Sequence, residues 1–194
     1  MRAGSPYRRV LVLGGARSGK SAFAERLAAT LGEPVLYVAT AAPLDAEMAE
    51  RIRRHRARRP AGWRTVEAPL RPAAAAAQEL GDARTVVVED LTLLLSNVLV
   101  GPAHCEPPEE RDAIDALAAE QAVDGELQGL VRLPVHLVLV SNEVGMGLVP
   151  PYPLGRAFRD ALGRVNQLAA ARADEVVLLV AGLPMRLKPA GPGR

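Results

Sequence analysis

The chain has 194 residues, 49% of them hydrophobic, and its 24 Lys and Arg against 22 Asp and Glu leave a net charge of +2. That length fits one domain spanning residues 1–194, and the apolar fraction is too high for a disordered chain. No apolar run reaches the roughly 18 residues a bilayer span needs, Met1–Arg9 lacks the apolar core of a signal peptide, and one cysteine, Cys105, excludes a disulfide framework, so the expected location is the cytoplasm.

Val10–Leu13 reads as a buried strand, followed by a glycine turn and a helix from Ser21 to Leu31 that Gly32 and Pro34 end. Val35–Thr40 is the second strand. Asp45–Arg59 reads as a helix with acids in its first turn and arginines in its last, which suits the macrodipole, and Pro60 and Gly62 stop it. The alanine run Ala73–Ala77 reads as helix, since alanine loses no side-chain entropy there. Thr85–Glu89 and Val135–Val140 are the third and fourth strands, separated by a loop at Gly101–Pro108 and a helix at Asp112–Val131. A helix at Leu154–Ala173, a fifth strand at Glu175–Val180 and a short antiparallel edge strand at Met185–Lys188 complete the order. Residues 1–8 and 189–194 are expected to be flexible, and there is no internal repeat. Continuous apolar strands alternating with helices predict an α/β fold with a mostly parallel sheet covered on both faces. Ligands in such folds bind beyond the carboxyl ends of the strands, here the loops after Leu13, Val38, Val88, Val140 and Val180.

The first of those loops carries the strongest motif. Gly14-Gly15-Ala16-Arg17-Ser18-Gly19-Lys20-Ser21 fits G-x-x-x-x-G-K-[ST] and lies between a predicted strand and a predicted helix. Gly14, Gly15 and Gly19 permit backbone conformations and close approaches that a side chain would block. Successive amide N–H groups at a helix N-terminus cradle phosphate oxygens. Lys20 can bridge the β- and γ-phosphates, and the Ser21 hydroxyl can coordinate Mg2+. A carboxylate at a neighbouring strand end completes such a metal site. Glu89 and Asp90 are the candidates; they point to opposite faces, and Glu89 is preferred.

Arginines crowd between Arg51 and Arg64, while an acidic stretch runs from Glu106 to Glu126. The basic segment suggests an anionic ligand, but aromatics make up only 3% of the chain, which argues against single-stranded nucleic acid. His55 shares a helical face with Met48 and Ile52, so it points toward the body of the protein. Positive neighbours would depress its pKa from about 6.5 and keep the imidazole neutral at pH 7. From these residues alone, it reads more simply as a packed or surface histidine. His136 reads as a core residue bonded to backbone, and nothing in the sequence orients His104 and Cys105 as a nucleophile–base pair.

Six segments in order carry a resemblance: Gly14–Ser21, Arg51–Pro60 with its histidine, Trp63–Glu67, Leu91–Asn97, Asn142–Pro150 and Gly163–Gln167. Together they resemble the bifunctional adenosylcobinamide kinase / adenosylcobinamide-phosphate guanylyltransferase family of cobalamin biosynthesis, from about Val10 to Lys188. The resemblance implies a P-loop NTPase fold of RecA-like type and a two-step reaction with ATP and GTP as substrates and Mg2+ as cofactor. A nucleoside triphosphate first phosphorylates adenosylcobinamide. A histidine, here His55, then takes GMP from GTP and passes it to adenosylcobinamide phosphate. The implied catalytic residues are His55 and Lys20. The implied nucleotide site adds Ala39, Thr40, Ala41, Arg56, Ala57, Arg58, Arg59, Glu67 and Glu89 to the P-loop, with Ser21 and Glu89 at the metal. The Asn142–Pro150 loop would form an active-site wall on the corrinoid side. Many members have a small neutral residue where this chain has Asp90. The resemblance further implies a homo-oligomer, with a trimer among the possibilities, and neither a nucleic-acid partner nor a membrane span. Two alternatives stand beside this reading: a P-loop small-molecule kinase without guanylyl transfer, and a P-loop nucleotide-dependent nucleic-acid-binding module.

Overall fold

Seven strands form a single sheet of order β3-β2-β4-β5-β1-β6-β7 in a computed structural model that describes residues 6–41, 50, 53, 59–101 and 115–189. β1 (Arg9–Gly14), β2 (Val35–Ala39), β4 (Thr85–Glu89), β5 (His136–Asn142) and β6 (Glu175–Val180) are the expected apolar strands. β3 (Arg64–Glu67) lies at one edge, and β7 (Leu183–Lys188) pairs antiparallel with β6 at the other. All remaining pairings are parallel. β1 sits between β5 and β6, so the loop after Gly14 opens near the middle of the sheet's carboxyl edge.

The period of two along each strand splits the core into two layers. On one face Leu11, Leu36, Val38, Val86, Val88, Leu137 and Leu139 pack under α2 (Pro72–Gln78), α3 (Leu91–Val100), α4 (Ala116–Leu130) and α5 (Pro153–Arg172). On the other, Val10, Val12, Val35, Tyr37, Val87, Val138 and Val140 meet Ala24 and Ala28 of α1 (Lys20–Leu31), with Trp63 beside them. The alanines let α1 lie close on the sheet, which brings its first turn against the ends of the central strands.

Several expectations need adjusting. β3 was not expected, because Arg64–Glu67 is an exposed edge segment without an apolar pattern. α3 likewise was recognised only as the motif Leu91–Asn97. β5 runs on to Asn142, and β7 begins at Leu183. The helix expected at Asp112–Val131 is described from Ala116, with the Asp115 carboxylate accepting from the Ala118 N–H at 2.8 Å as its cap. Of the helix expected at Asp45–Arg59, the described residues Glu50 and Arg53 are helical and ion-paired at 2.7 Å; the rest, up to Arg58, lies outside the described residues. So do His104, Cys105, the loop beyond Gly101 and residues 1–5 and 190–194.

Candidate nucleotide site

β1 ends at Gly14 and α1 starts at Lys20, which leaves five residues to turn the chain. The Ser18 N–H donates to the Gly15 carbonyl at 3.2 Å, and the Phe23 N–H donates to the Gly19 carbonyl at 3.0 Å as the helix begins. Gly19 has φ +93°, a left-handed conformation that glycine adopts without steric cost. The N-cap residue of α1 is Gly19, which has no side chain to cap it, so the helix's first-turn N–H groups and positive dipole end face into the loop, as an anion requires. Lys20 is 7% exposed, and its Nζ donates across the loop to the Gly15 carbonyl at 3.3 Å. Ala16 and Arg17 are exposed at the loop's crest. The turn between β6 and β7 braces the loop from the side, with the Gly182 N–H on the Ser18 carbonyl at 2.9 Å.

The two candidate acids are placed differently. The Ser21 hydroxyl donates to Glu89 Oε1, and the Tyr37 hydroxyl donates to Glu89 Oε2. Asp90 is committed elsewhere: its Oδ1 accepts from the Leu93 N–H at 2.7 Å and caps α3. Glu89 is therefore the acid that faces the loop. Ser21 and Glu89 supply hard oxygen donors of the kind Mg2+ accepts alongside phosphate oxygens and water.

Ala39, Glu67 and Glu89 share one row, since Ala39 is in register with both Glu67 and Glu89. Thr40 is fully buried; its Oγ1 accepts from the Asp90 N–H and donates to the Asp90 carbonyl, each at 2.7 Å. Asn97 of α3 donates both amide hydrogens, to the Thr40 carbonyl at 2.8 Å and the Pro69 carbonyl at 3.0 Å. Ala41 follows at the edge of the described segment. Arg59 lies with its guanidinium carbon 3.4 Å from the centre of the Tyr37 ring, a cation–π contact, and donates from Nη1 to Thr65 Oγ1 at 3.1 Å.

Thus Gly14, Gly15, Ala16, Arg17, Ser18, Gly19, Lys20, Ser21, Ala39, Thr40, Ala41, Glu67 and Glu89 gather at the carboxyl edge of the sheet, and Arg59 approaches through Tyr37. His55, Arg56, Ala57 and Arg58 lie outside the described residues. Sequence reasoning missed Tyr37 and Asn97. The available signal was a single hydroxyl in Val-Leu-Tyr-Val-Ala, two residues before Ala39 and therefore on the same face as Ala39 and its partner Glu89.

The Asn142–Pro150 loop adjoins this site. The Glu143 N–H donates to the Gly14 carbonyl at 3.2 Å, while Asn142 Nδ2 donates to Thr92 Oγ1 at 3.0 Å. Arg159 holds the Gly145 carbonyl at 2.6 Å, and Arg156 the Pro151 carbonyl at 2.7 Å. Met146 and Leu148 project outward, 81% and 97% exposed. His136 instead lies at the opposite end of β5, where its Nδ1 accepts from the Arg8 N–H at 3.0 Å. It is bonded to backbone as expected, though only partly buried.

A glycine loop opening a helix, beside a strand-end carboxylate on a mostly parallel sheet, defines a P-loop nucleotide-binding protein. The fold agrees: the chain superposes on a solved ATPase domain with a TM-score of 0.50 at 14% identity, covering 90% of this chain and 70% of that one. It matches an ATPase from the type III secretion system of pathogenic bacteria at a TM-score of 0.53 and 14% identity, over 92% of this chain and 56% of that one. The model of the cobinamide kinase / cobinamide phosphate guanyltransferase family matches residues 10–187, and the chain belongs to that family. It is 47% identical over 184 residues to the bifunctional adenosylcobalamin biosynthesis protein CobP of Pseudomonas aeruginosa, covering 93% of this chain and 97% of that protein. It is 44% identical over 183 residues to CobU of Salmonella typhimurium, which bears the same description, covering 92% and 99%.

Proposed function

We propose that this chain is a bifunctional enzyme that phosphorylates adenosylcobinamide and then transfers GMP to the product. In the first step the aminopropanol hydroxyl attacks the γ-phosphorus of a nucleoside triphosphate, the bond to the bridging oxygen breaks, and the nucleoside diphosphate leaves. The backbone amides of Gly15–Lys20 bind the phosphates, and Lys20 spreads its charge over the β- and γ-oxygens. The Ser21 hydroxyl and Glu89, directly or through water, would hold Mg2+, which would supply charge neutralisation at the phosphates. In the second step an imidazole nitrogen of His55 attacks the α-phosphorus of GTP and expels pyrophosphate. A phosphate oxygen of adenosylcobinamide phosphate then attacks the phosphorus, and neutral imidazole departs, giving adenosylcobinamide-GDP.

The observation that carries this reading is the Ser21–Glu89 contact beneath a P-loop, in a chain of this family. Exposed Met146, Leu148 and Val149, on a loop hydrogen-bonded to Gly14, suit the broad apolar face of a corrinoid. No described helix is long and apolar enough to cross a membrane. A cytoplasmic homo-oligomer without a nucleic-acid partner remains part of the proposal.

Incubation with GTP labelled at the α-phosphate tests it. The protein should acquire acid-labile, base-stable label, and His55→Ala should lose that label while keeping phosphoryl transfer to adenosylcobinamide within about tenfold. Phosphorylation without any protein-bound label would mark a kinase lacking the second activity. Salt-sensitive oligonucleotide binding without corrinoid turnover would mark a nucleic-acid module instead.

A further inference from the structure

Tyr37 has no part in the chemistry above, yet it lies between two of its components. It is 1% exposed in the middle of β2, and its hydroxyl donates to the Glu89 oxygen that Ser21 does not use. The face of its ring carries the Arg59 guanidinium. Arg59 closes the segment that contains His55, so one side chain touches both the carboxylate of the phosphoryl-transfer site and the end of the guanylyl-transfer segment.

We propose that Tyr37 is a positioning residue that serves the two half-reactions through two separate parts of its side chain. Its hydroxyl fixes Glu89 with one oxygen turned to Ser21, and its ring seats Arg59. The proposal rests on the two-step reading given above.

The chemistry of the pair supports this division. A carboxylate rotates freely about its last bond unless both oxygens are engaged, and a donor on each side removes that freedom. Burial, followed by the negative charge of Glu89, pushes the phenol far above its usual range, against the opposing influence of Arg59. For Arg59, Nη1 is bonded to Thr65 while Nε is buried without a hydrogen-bond partner, so the aromatic face is a principal contact of the guanidinium.

Two variants separate the parts. Tyr37→Phe keeps the ring and removes the hydroxyl; Tyr37→Leu removes both. Tyr37→Phe should raise the Mg2+ concentration for half-maximal adenosylcobinamide phosphorylation about tenfold, the scale of one hydrogen bond to a charged group, and should lower kcat more than the nucleotide KM. Its rate of protein labelling from α-labelled GTP, with Mg2+ saturating, should stay within about threefold of the unaltered protein. Tyr37→Leu should lose a further tenfold or so in labelling.

A Tyr37→Phe protein with unchanged Mg2+ dependence overturns the role of the hydroxyl. One whose two activities fall together, in step with its melting temperature, shows a merely structural residue and also overturns it. Equal labelling by the two variants overturns the role of the ring. If neither variant folds, the unaltered protein still decides. With 13Cζ-tyrosine, the three tyrosine signals can be sorted by Tyr7→Phe and Tyr152→Phe. The Tyr37 signal must then move when Mg2+ and nucleotide are added, and a stationary signal overturns the proposal. An unaltered protein that does not phosphorylate adenosylcobinamide would instead refute the two-step reading itself.

Discussion

A methyl group on Gly14 would run into the Ser18 hydroxyl and stand 2.9 Å from the Leu179 carbonyl oxygen, and the backbone oxygen cannot rotate away. Gly14→Ala should therefore cost about 1–3 kcal/mol of stability, as overpacking does, and lower the melting temperature together with nucleotide affinity. Gly15 differs: a methyl group there meets no atom of the described residues within 4 Å. Gly15→Ala should leave stability within about 0.5 kcal/mol while nucleotide binding, followed by calorimetry, falls sharply if the phosphates approach at that point. Stability lost at Gly15 would count against this distinction. At the far end of the sheet, burial, then Arg8 and Arg84, holds the His136 pKa below its ordinary value. The unfolded chain then binds more protons in the window just below the usual value of about 6.5, so stability is full above that value and is lost as pH falls through the folded-state pKa. Protonation also removes the acceptor that the Arg8 N–H uses. Melting temperatures between about pH 7 and pH 5 should show a steeper acid decline for the unaltered protein than for His136→Gln, and parallel curves would contradict the assignment.

The elements differ in how they reach the site, and this decides what the sequence discloses. β1, β2, β4, β5 and β6 are legible because strands buried on both faces must be apolar throughout. β3 is not, because Arg64–Glu67 is held by its pairing with β2 rather than by burial. α3 escapes for the opposite reason: Leu-Thr-Leu-Leu-Leu-Ser-Asn-Val-Leu-Val is apolar on nearly every side, so no helical stripe stands out. The P-loop is legible because its chemistry lies within eight consecutive residues. Alternation along the strand lets only one of Glu89 and Asp90 face the loop and favours Glu89, whereas the capping of α3 by Asp90 is seen only in the structure, and Tyr37 enters the site only through strand register. α3 also fixes the exits of β2 and β3 through the two bonds donated by Asn97. Asn97→Ala would leave two inward carbonyls without that donor, a loss of about 1–3 kcal/mol and several degrees in melting temperature. The exit of β2 carries Ala39–Ala41, so the nucleotide KM should rise as well. A variant with normal stability and normal KM would show that the strand exits are held by other means.

At the scale of the whole molecule, the order β3-β2-β4-β5-β1-β6-β7 is set by packing across the sheet and cannot be read from any local pattern. The same sheet leaves an unbalanced edge. β7 is exposed along its length, and Leu183, Met185 and Leu187 are 71%, 55% and 54% exposed. Leu183 pairs with Val180 and Met185 with Leu178, so these apolar side chains share a face of the hairpin. Natural edge strands are normally protected by charge, and here Arg186 is drawn to Glu175 while Lys188 reaches back to the Ala173 carbonyl. An apolar edge of this kind favours association with further copies of the chain. Sedimentation should give a mass that is a multiple of 20.5 kDa for the unaltered protein. Leu183→Glu combined with Met185→Glu should shift it to a single 20.5 kDa species, since paired charges on a shared apolar face cost more when buried than when solvated. A 20.5 kDa mass for the unaltered protein at every concentration would show that this edge is a free surface.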